Sequence, residues 1–196
     1  MTKTEDFFEN YIRIENILRE GWVRRKIPVS RIESVSEHTL QVCMLASLYT
    51  HELGLEDIDI GKLLEMSIIH DLGEAVIGDI PVIDPAHNSK REIEEKGVIE
   101  MLSVLPLKLQ SYYMKLWLEF ENKQSKEALL AYQCDKLSAV LKAKHYETQT
   151  GREGLFKEFY EGKTTQKAFE NGPLSEVFKD IGKRNSNILQ LKQTKE

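Results

Sequence analysis

Residues 60–80 read IGKLLEMSIIHDLGEAVIGDI. The first half carries apolar side chains at helical spacing, through Leu63, Leu64 and Ile68, and the pattern runs up to Asp71. Asp57 or Asp59, just upstream, can cap such a helix. Gly73 and Gly78 then loosen the chain, and Pro81 and Pro85 oppose an immediate second helix, so residues 73–89 are expected as a loop. An apolar helix therefore ends on the pair His70-Asp71. Burying an imidazole beside a carboxylate is costly unless something pairs with both. A divalent cation is one such partner, because imidazole nitrogens and carboxylate oxygens suit several transition metals. The dipeptide alone decides nothing, since a lone histidine on an apolar helix is more often a hydrogen-bonded core residue.

Working outward, Ser34-Val35-Ser36-Glu37 forms a capping box, with Ser34 as N-cap and Glu37 at N3. His38 then lies in the first turns of a second apolar-faced helix, on the face of Val42, Leu45 and Tyr49. Before it, one helix is expected over 5–20, with Phe8, Ile12, Ile14, Ile17 and Leu18 turned inward and Gly21 ending it. Residues 22–33 read as an ordered loop. Downstream, a Glu- and Lys-rich helix is expected over 89–104, and Pro106 begins another. That one carries Leu109, Tyr112, Tyr113, Leu116, Trp117 and Phe120, more large apolar groups than one surface face needs, which points to a homodimer.

The pattern over 125–148 is the most regular. Leu130, Leu137, Val140 and Leu141 form its apolar stripe. Asp135 stands beside the small residues Ala128, Ala131, Ser138 and Ala139. A carboxylate among such neighbours demands a cation or hydrogen-bond donors, and Lys136 and Lys142 are alternatives to a metal. Two short helices, 152–161 and 174–190, complete an all-α reading, with no strand alternation longer than about five residues and no internal repeat.

A length of 196 residues suits a single domain, 1–196. A net charge of −5 opposes binding to a nucleic acid polymer, although Arg24-Arg25-Lys26 can hold one phosphate group. No apolar run approaches the roughly 18 residues needed to span a bilayer. Cys43 and Cys134 lie far apart in apolar surroundings and read as reduced core thiols. The opening MTKTEDFFENYIR has neither the apolar core of a signal peptide nor an Arg-rich transit pattern. A cytoplasmic protein is expected.

The order His38…His70-Asp71…Asp135 resembles the signature of the HD-domain superfamily of metal-dependent phosphohydrolases. The likeness extends beyond four residues. Glu33-Ser34-Val35-Ser36-Glu37-His38 is similar to the ESVxEH segment of the family's 5'-deoxynucleotidase branch. The stretch from His70 to Ile80 is similar to its HDxxExxxGD segment. Gly21-Trp22-Val23 with nearby arginines also matches, as does the helix around Gln133-Cys134-Asp135-Lys136-Leu137. The resemblance covers roughly residues 10–150, leaving about 151–190 as a helical extension.

The resemblance implies a single all-α helical bundle with a central metal site. It implies one divalent ion, for which manganese, cobalt, iron, nickel and zinc are all chemically suitable. His38, His70, Asp71 and Asp135 would be its ligands. Glu74 and Asp79 would serve substrate and proton transfer. Trp22 and one arginine would contact a nucleoside 5'-monophosphate, and Arg19, Arg24 and Arg25 compete for that role. His87 is the remaining histidine between the pair and Asp135, too few for a dinuclear site. The rival readings are an HD phosphodiesterase or pyrophosphohydrolase acting on a larger nucleotide, and a non-catalytic HD module that only binds one.

Overall fold

The computed structural model describes residues 2–81 and 89–193. His87 therefore lies outside the described residues. The described chain contains helices and no strand beyond an isolated bridge between Leu18 and Ser34. It divides into two compact units, residues 1–131 and 132–196.

The first unit opens with α1 (Lys3–Tyr11), capped by Thr2, and a 3-10 turn, Ile12–Glu15. The expected helix over 5–20 is thus broken. The reason is tertiary: Val35 N–H donates to Ile17 O at 2.8 Å and Arg19 N–H donates to Glu33 O at 3.0 Å. These bonds hold residues 17–19 extended beside 33–35, where a continuing helix would use its own carbonyls. Phe8 is exposed rather than inward, and Gly21 sits inside α2 (Glu20–Arg24) rather than ending a helix.

The local caps behave as their spacing requires. Glu37 N–H donates to Ser34 Oγ at 3.2 Å and Ser34 N–H donates to Glu37 Oε2 at 2.7 Å, which starts α3 (Val35–Glu52). Asp59 caps α4 (Ile60–Ile69) by accepting from Lys62 N–H at 3.0 Å. Helix α3 packs on α4 through a core that includes Val42, Ala46, Leu63 and Met66.

Residues 74–77 correct the loop expectation by forming α5 (Glu74–Ile77). This turn lies against α6 (Lys90–Leu102), with Gly73 and Gly97 at the crossing. Pro106 precedes α7 (Leu107–Asn122), which packs against α4 and α6. Its large side chains divide in a way the sequence did not reveal. Leu116, Trp117 and Phe120 are buried core residues, while Leu109 and Tyr112 remain exposed.

Helix α8 (Lys126–Thr150) runs through the boundary between the units. The second unit continues with α9 (Leu155–Tyr160), α10 (Lys163–Ala168) and α11 (Ser175–Gln193). Its aromatic residues stack, Phe169 on Phe178 at 4.1 Å and Tyr160 on Phe178 at 4.4 Å. Gln133, fully buried, donates to the carbonyls of Ala168 and Asn171 at 2.8 Å each and accepts from Leu174 N–H at 3.0 Å. One side chain thereby satisfies three backbone groups of the turn before α11. No helix among the described residues is long and apolar enough to cross a membrane.

Candidate metal centre

The capping box sets where α3 begins, and so places His38 in its first turns, where it is buried. Helix α4 ends at Ile69, with His70 at its C-cap. His70 Nδ1 lies 2.7 Å from the carbonyl of Ser67, three residues back in the same helix. A carbonyl only accepts, so this nitrogen carries the proton and Nε2 of the neutral ring holds a lone pair. That Nε2 lies 3.1 Å from Asp71 Oδ2, and His38 Nε2 lies 3.8 Å from the same oxygen. The two imidazole rings are 5.5 Å apart, edge to face. Phe120 backs His70 at 5.6 Å, and the Trp117 indole N–H donates to the His70 carbonyl at 3.3 Å.

His38, His70 and Asp71 each offer a ligand atom, all within 4.8 Å of one another. A lone-pair nitrogen facing a carboxylate oxygen is repulsive unless a proton or a cation lies between them. With Nδ1 already engaged by Ser67, the donor set fits a divalent metal bound through Nε2, with the second ring nitrogen held by a hydrogen bond as metal-ligating histidines usually are.

Three further groups meet this cluster. Arg19 Nη1 lies 3.0 Å from Asp71 Oδ2, 3.4 Å from Glu74 Oε2 and 3.2 Å from Asp79 Oδ1. Glu20 N–H donates to Asp79 Oδ2 at 2.6 Å, which ties Asp79 to the start of α2. Glu74 is buried, and its Oε1 has no hydrogen-bond partner. Without a metal, burial pushes the Asp71 carboxyl up, but a positively charged His70, with a proton on Nε2 where the metal would bind, and Arg19 outweigh it and hold it well below the usual carboxylate range. Glu74 is the reverse case: burial first, and the negative Asp71 second, raise it well above an ordinary glutamate. Two carboxylates on one short segment are thus pushed apart, one kept ionised and the other kept ready to hold a proton.

Of the three competing arginines, Arg19 reaches the carboxylates. Arg24 pairs with Glu20 at 3.0 Å, and Arg25 Nη1 donates to Gly21 O at 2.8 Å within its own helix. Trp22, expected at a nucleotide, is instead 3% exposed, and its indole N–H donates to Glu33 Oε1 at 2.9 Å. The apolar body of a tryptophan favours the core when its N–H finds a buried acceptor there. Asp135 belongs to the second unit, where it is buried and accepts from Lys136 Nζ at 2.8 Å. His51 and His145 are exposed.

The sequence assigns no role to Lys90 or Glu94, and gives Glu33 none beyond opening the ESVxEH-like segment. Buried Glu33 joins Trp22 to Gln41, whose Nε2 donates to Glu33 Oε2 at 2.8 Å. Lys90 Nζ lies 3.0 Å from Glu94 Oε1 and 3.9 Å from Glu74 Oε1. In sequence the last two are an ordinary i,i+4 pair on a charged helix, and nothing there separates them from a solvated face.

The family model described as HD domain matches residues 13–173. The chain is 29% identical over 178 residues to the 5'-deoxynucleotidase HDDC2 of Bos taurus, covering 90% of this chain and 83% of that protein. It is 32% identical over 154 residues to the 5'-deoxynucleotidase HDDC2 of Dictyostelium discoideum, covering 76% of this chain and 80% of that one. Among solved structures, a conserved hypothetical protein from Pyrococcus furiosus superposes with a TM-score of 0.75 at 29% identity, covering 91% of this chain and 98% of its own. With a family match across most of its length, and with the histidines and aspartate of the sequence pattern gathered at one buried point, this chain belongs to the HD-domain family.

Proposed function

We propose that this protein is a metal-dependent phosphomonoesterase that releases phosphate from nucleoside 5'-monophosphates, deoxyribonucleotides above all. The observation that carries the reading is the convergence of Arg19 on Asp71, Glu74 and Asp79, directly beside the His38–His70 pair. The 5'-deoxynucleotidase relatives support the substrate class.

His38, His70 and Asp71 would hold one divalent ion, with Asp135 as the fourth ligand on the strength of the sequence pattern. When bound, such an ion supplies positive charge for the phosphate oxygens and acidifies a water molecule. Arg19 binds the phosphate dianion, for which a planar guanidinium offers paired donors. Glu74, biased toward its protonated form, moves a proton to or from the reacting oxygens. Asp79, positioned by the backbone of Glu20, faces the sugar. The family match crosses the boundary between the two units, which supports reading 1–196 as one HD domain with its helical extension. A cytoplasmic homodimer without affinity for nucleic acid polymers completes the reading.

The test is phosphate release from a panel of 5'-mono-, 3'-mono- and 5'-triphosphates, in ribo and deoxy forms, after reconstitution with each candidate metal. Deoxyribonucleoside 5'-monophosphates should be turned over best. Efficient triphosphate cleavage with inert monophosphates would move the protein to another kind of HD hydrolase.

A further inference from the structure

We infer that the Lys90 ammonium fills a second cation position of this centre, lined by Asp71, Glu74 and Glu94, and thereby holds the centre to one divalent ion. The inference rests on the proposed metal-dependent reading of the site.

Asp71, Glu74 and Glu94 each place a carboxylate oxygen within 4.8 Å of the others. Three carboxyl groups at that separation resist ionising together unless a cation stands among them, most strongly where water is excluded. The Glu74 side chain is 1% exposed, and its Oε1 has no hydrogen-bond partner. A buried carboxylate oxygen in that state calls for a cation. Arg19 Nη1 meets the other oxygen, Oε2, at 3.4 Å, and Lys90 Nζ stands 3.9 Å from Oε1 and 3.0 Å from Glu94 Oε1. Burial alone would drive that ammonium toward its neutral form, but Glu74 and Glu94 reverse the effect and keep it charged.

Asp71 belongs to both groups. It stands with His38 and His70 on one side and with Glu74 and Glu94 on the other. A carboxylate shared between two ligand sets is the arrangement that two-metal centres use, with their ions about 3.5–4 Å apart. Here the second set already contains a fixed charge on a side chain. The contacts depend on the Gly73–Gly97 crossing, which brings the start of α5 onto α6 between Lys90 and Glu94 on one side and the next turn on the other.

The experiment is titration of the metal-free, full-length protein with Mn2+ by calorimetry, with elemental analysis of the product. Wild type, Lys90→Met, Lys90→Gln and the double variant Lys90→Met/Glu94→Gln are compared. Wild type should bind one ion per chain. Either single Lys90 variant should bind two, and the double variant should return to one. If the single variants are unstable, excess Mn2+ should raise their melting temperature toward that of wild type, since an ion in the vacated position replaces the missing charge. Folded Lys90 variants that stay at one ion overturn the inference, and so do unfolded ones that Mn2+ does not rescue, or a wild type that binds two. A wild-type protein that binds no ion, or releases no phosphate when loaded, overturns the functional reading instead, whatever the Lys90 variants do.

Discussion

Gly73 and Gly97 touch backbone to backbone: a Cβ on Gly97 would stand 2.7 Å from the Gly73 carbonyl oxygen, and one on Gly73 would stand 2.7 Å from the Glu94 carbonyl oxygen. Neither clash can be relieved by rotating a side chain. Gly97→Ala should therefore push α5 off α6 and cost about 1–3 kcal/mol, the usual range for overpacking. Urea unfolding of the two proteins measures it. A variant as stable as wild type would mean that the crossing has slack.

Removal of a metal ligand should look different from removal of a proton carrier. Asp71→Ala takes away an oxygen that stands 3.1 Å from His70 Nε2 and 3.8 Å from His38 Nε2. Metal content after reconstitution should collapse, and phosphate release with it. Elemental analysis after dialysis reads the first effect directly. Full metal occupancy in this variant would remove Asp71 from the ligand set.

Glu74→Ala should retain the metal and the fold but lose roughly 10²–10⁴-fold in kcat, the usual worth of a general acid or base. Metal stoichiometry and turnover measured on the same preparation separate this from a folding defect. Near-normal turnover would transfer proton handling to Asp79 or to solvent.

Arg19 and Arg25 should separate cleanly. Arg19 joins three carboxylates of the site, whereas Arg25 caps a carbonyl of its own helix. Arg19→Ala should lower kcat/KM at least tenfold, on the scale of about 1.4 kcal/mol or more for a lost charged hydrogen bond. Arg25→Ala should lower kcat/KM by less than Arg19→Ala does, because its Nη1 is held 2.8 Å from Gly21 O rather than among those carboxylates. Steady-state kinetics on a nucleoside 5'-monophosphate decides it, and equal losses in both variants would deny Arg19 its special place.

In the metal-free protein the buried Glu74 should leave a pH signature on stability. Its carboxyl is raised in the folded state, so the native protein binds its proton more tightly than the unfolded chain. That contribution is fully present below the unfolded value, about 4.3 for a glutamate, and is lost as pH rises from there through the folded value. Glu94, pushed by burial up to about 7, adds a loss of the same sign over the same window. Glu74→Gln has no proton to lose, so its melting temperature in chelator should fall less than that of wild type between pH 4 and pH 8. Scanning calorimetry across that range checks the slope, and parallel curves would contradict the raised carboxyl.

Much of the site was legible before any tertiary contact was known. The Ser34–Glu37 box and the Asp59 cap are interactions between residues three apart, so four residues of sequence contain everything they need. They set the starts of α3 and α4, and with them the place of His38 in α3 and of His70 and Asp71 just past the end of α4. What local sequence could not decide was which distant segments would meet. Arg19 reaches Asp71 across 52 residues only because residues 17–19 abandon a helix to pair with 33–35. Trp22 enters the core only because a buried glutamate waits there. Lys90 and Glu94 leave the category of surface charges only because two glycines let α5 lie on α6. Caps and ligand types are properties of a few neighbouring residues, and the sequence by itself determined them; the arginine, the buried tryptophan and the lysine were decided by the packing of segments far apart in the chain, because a side chain's charge and shape do not specify its partner until the backbone brings one within reach.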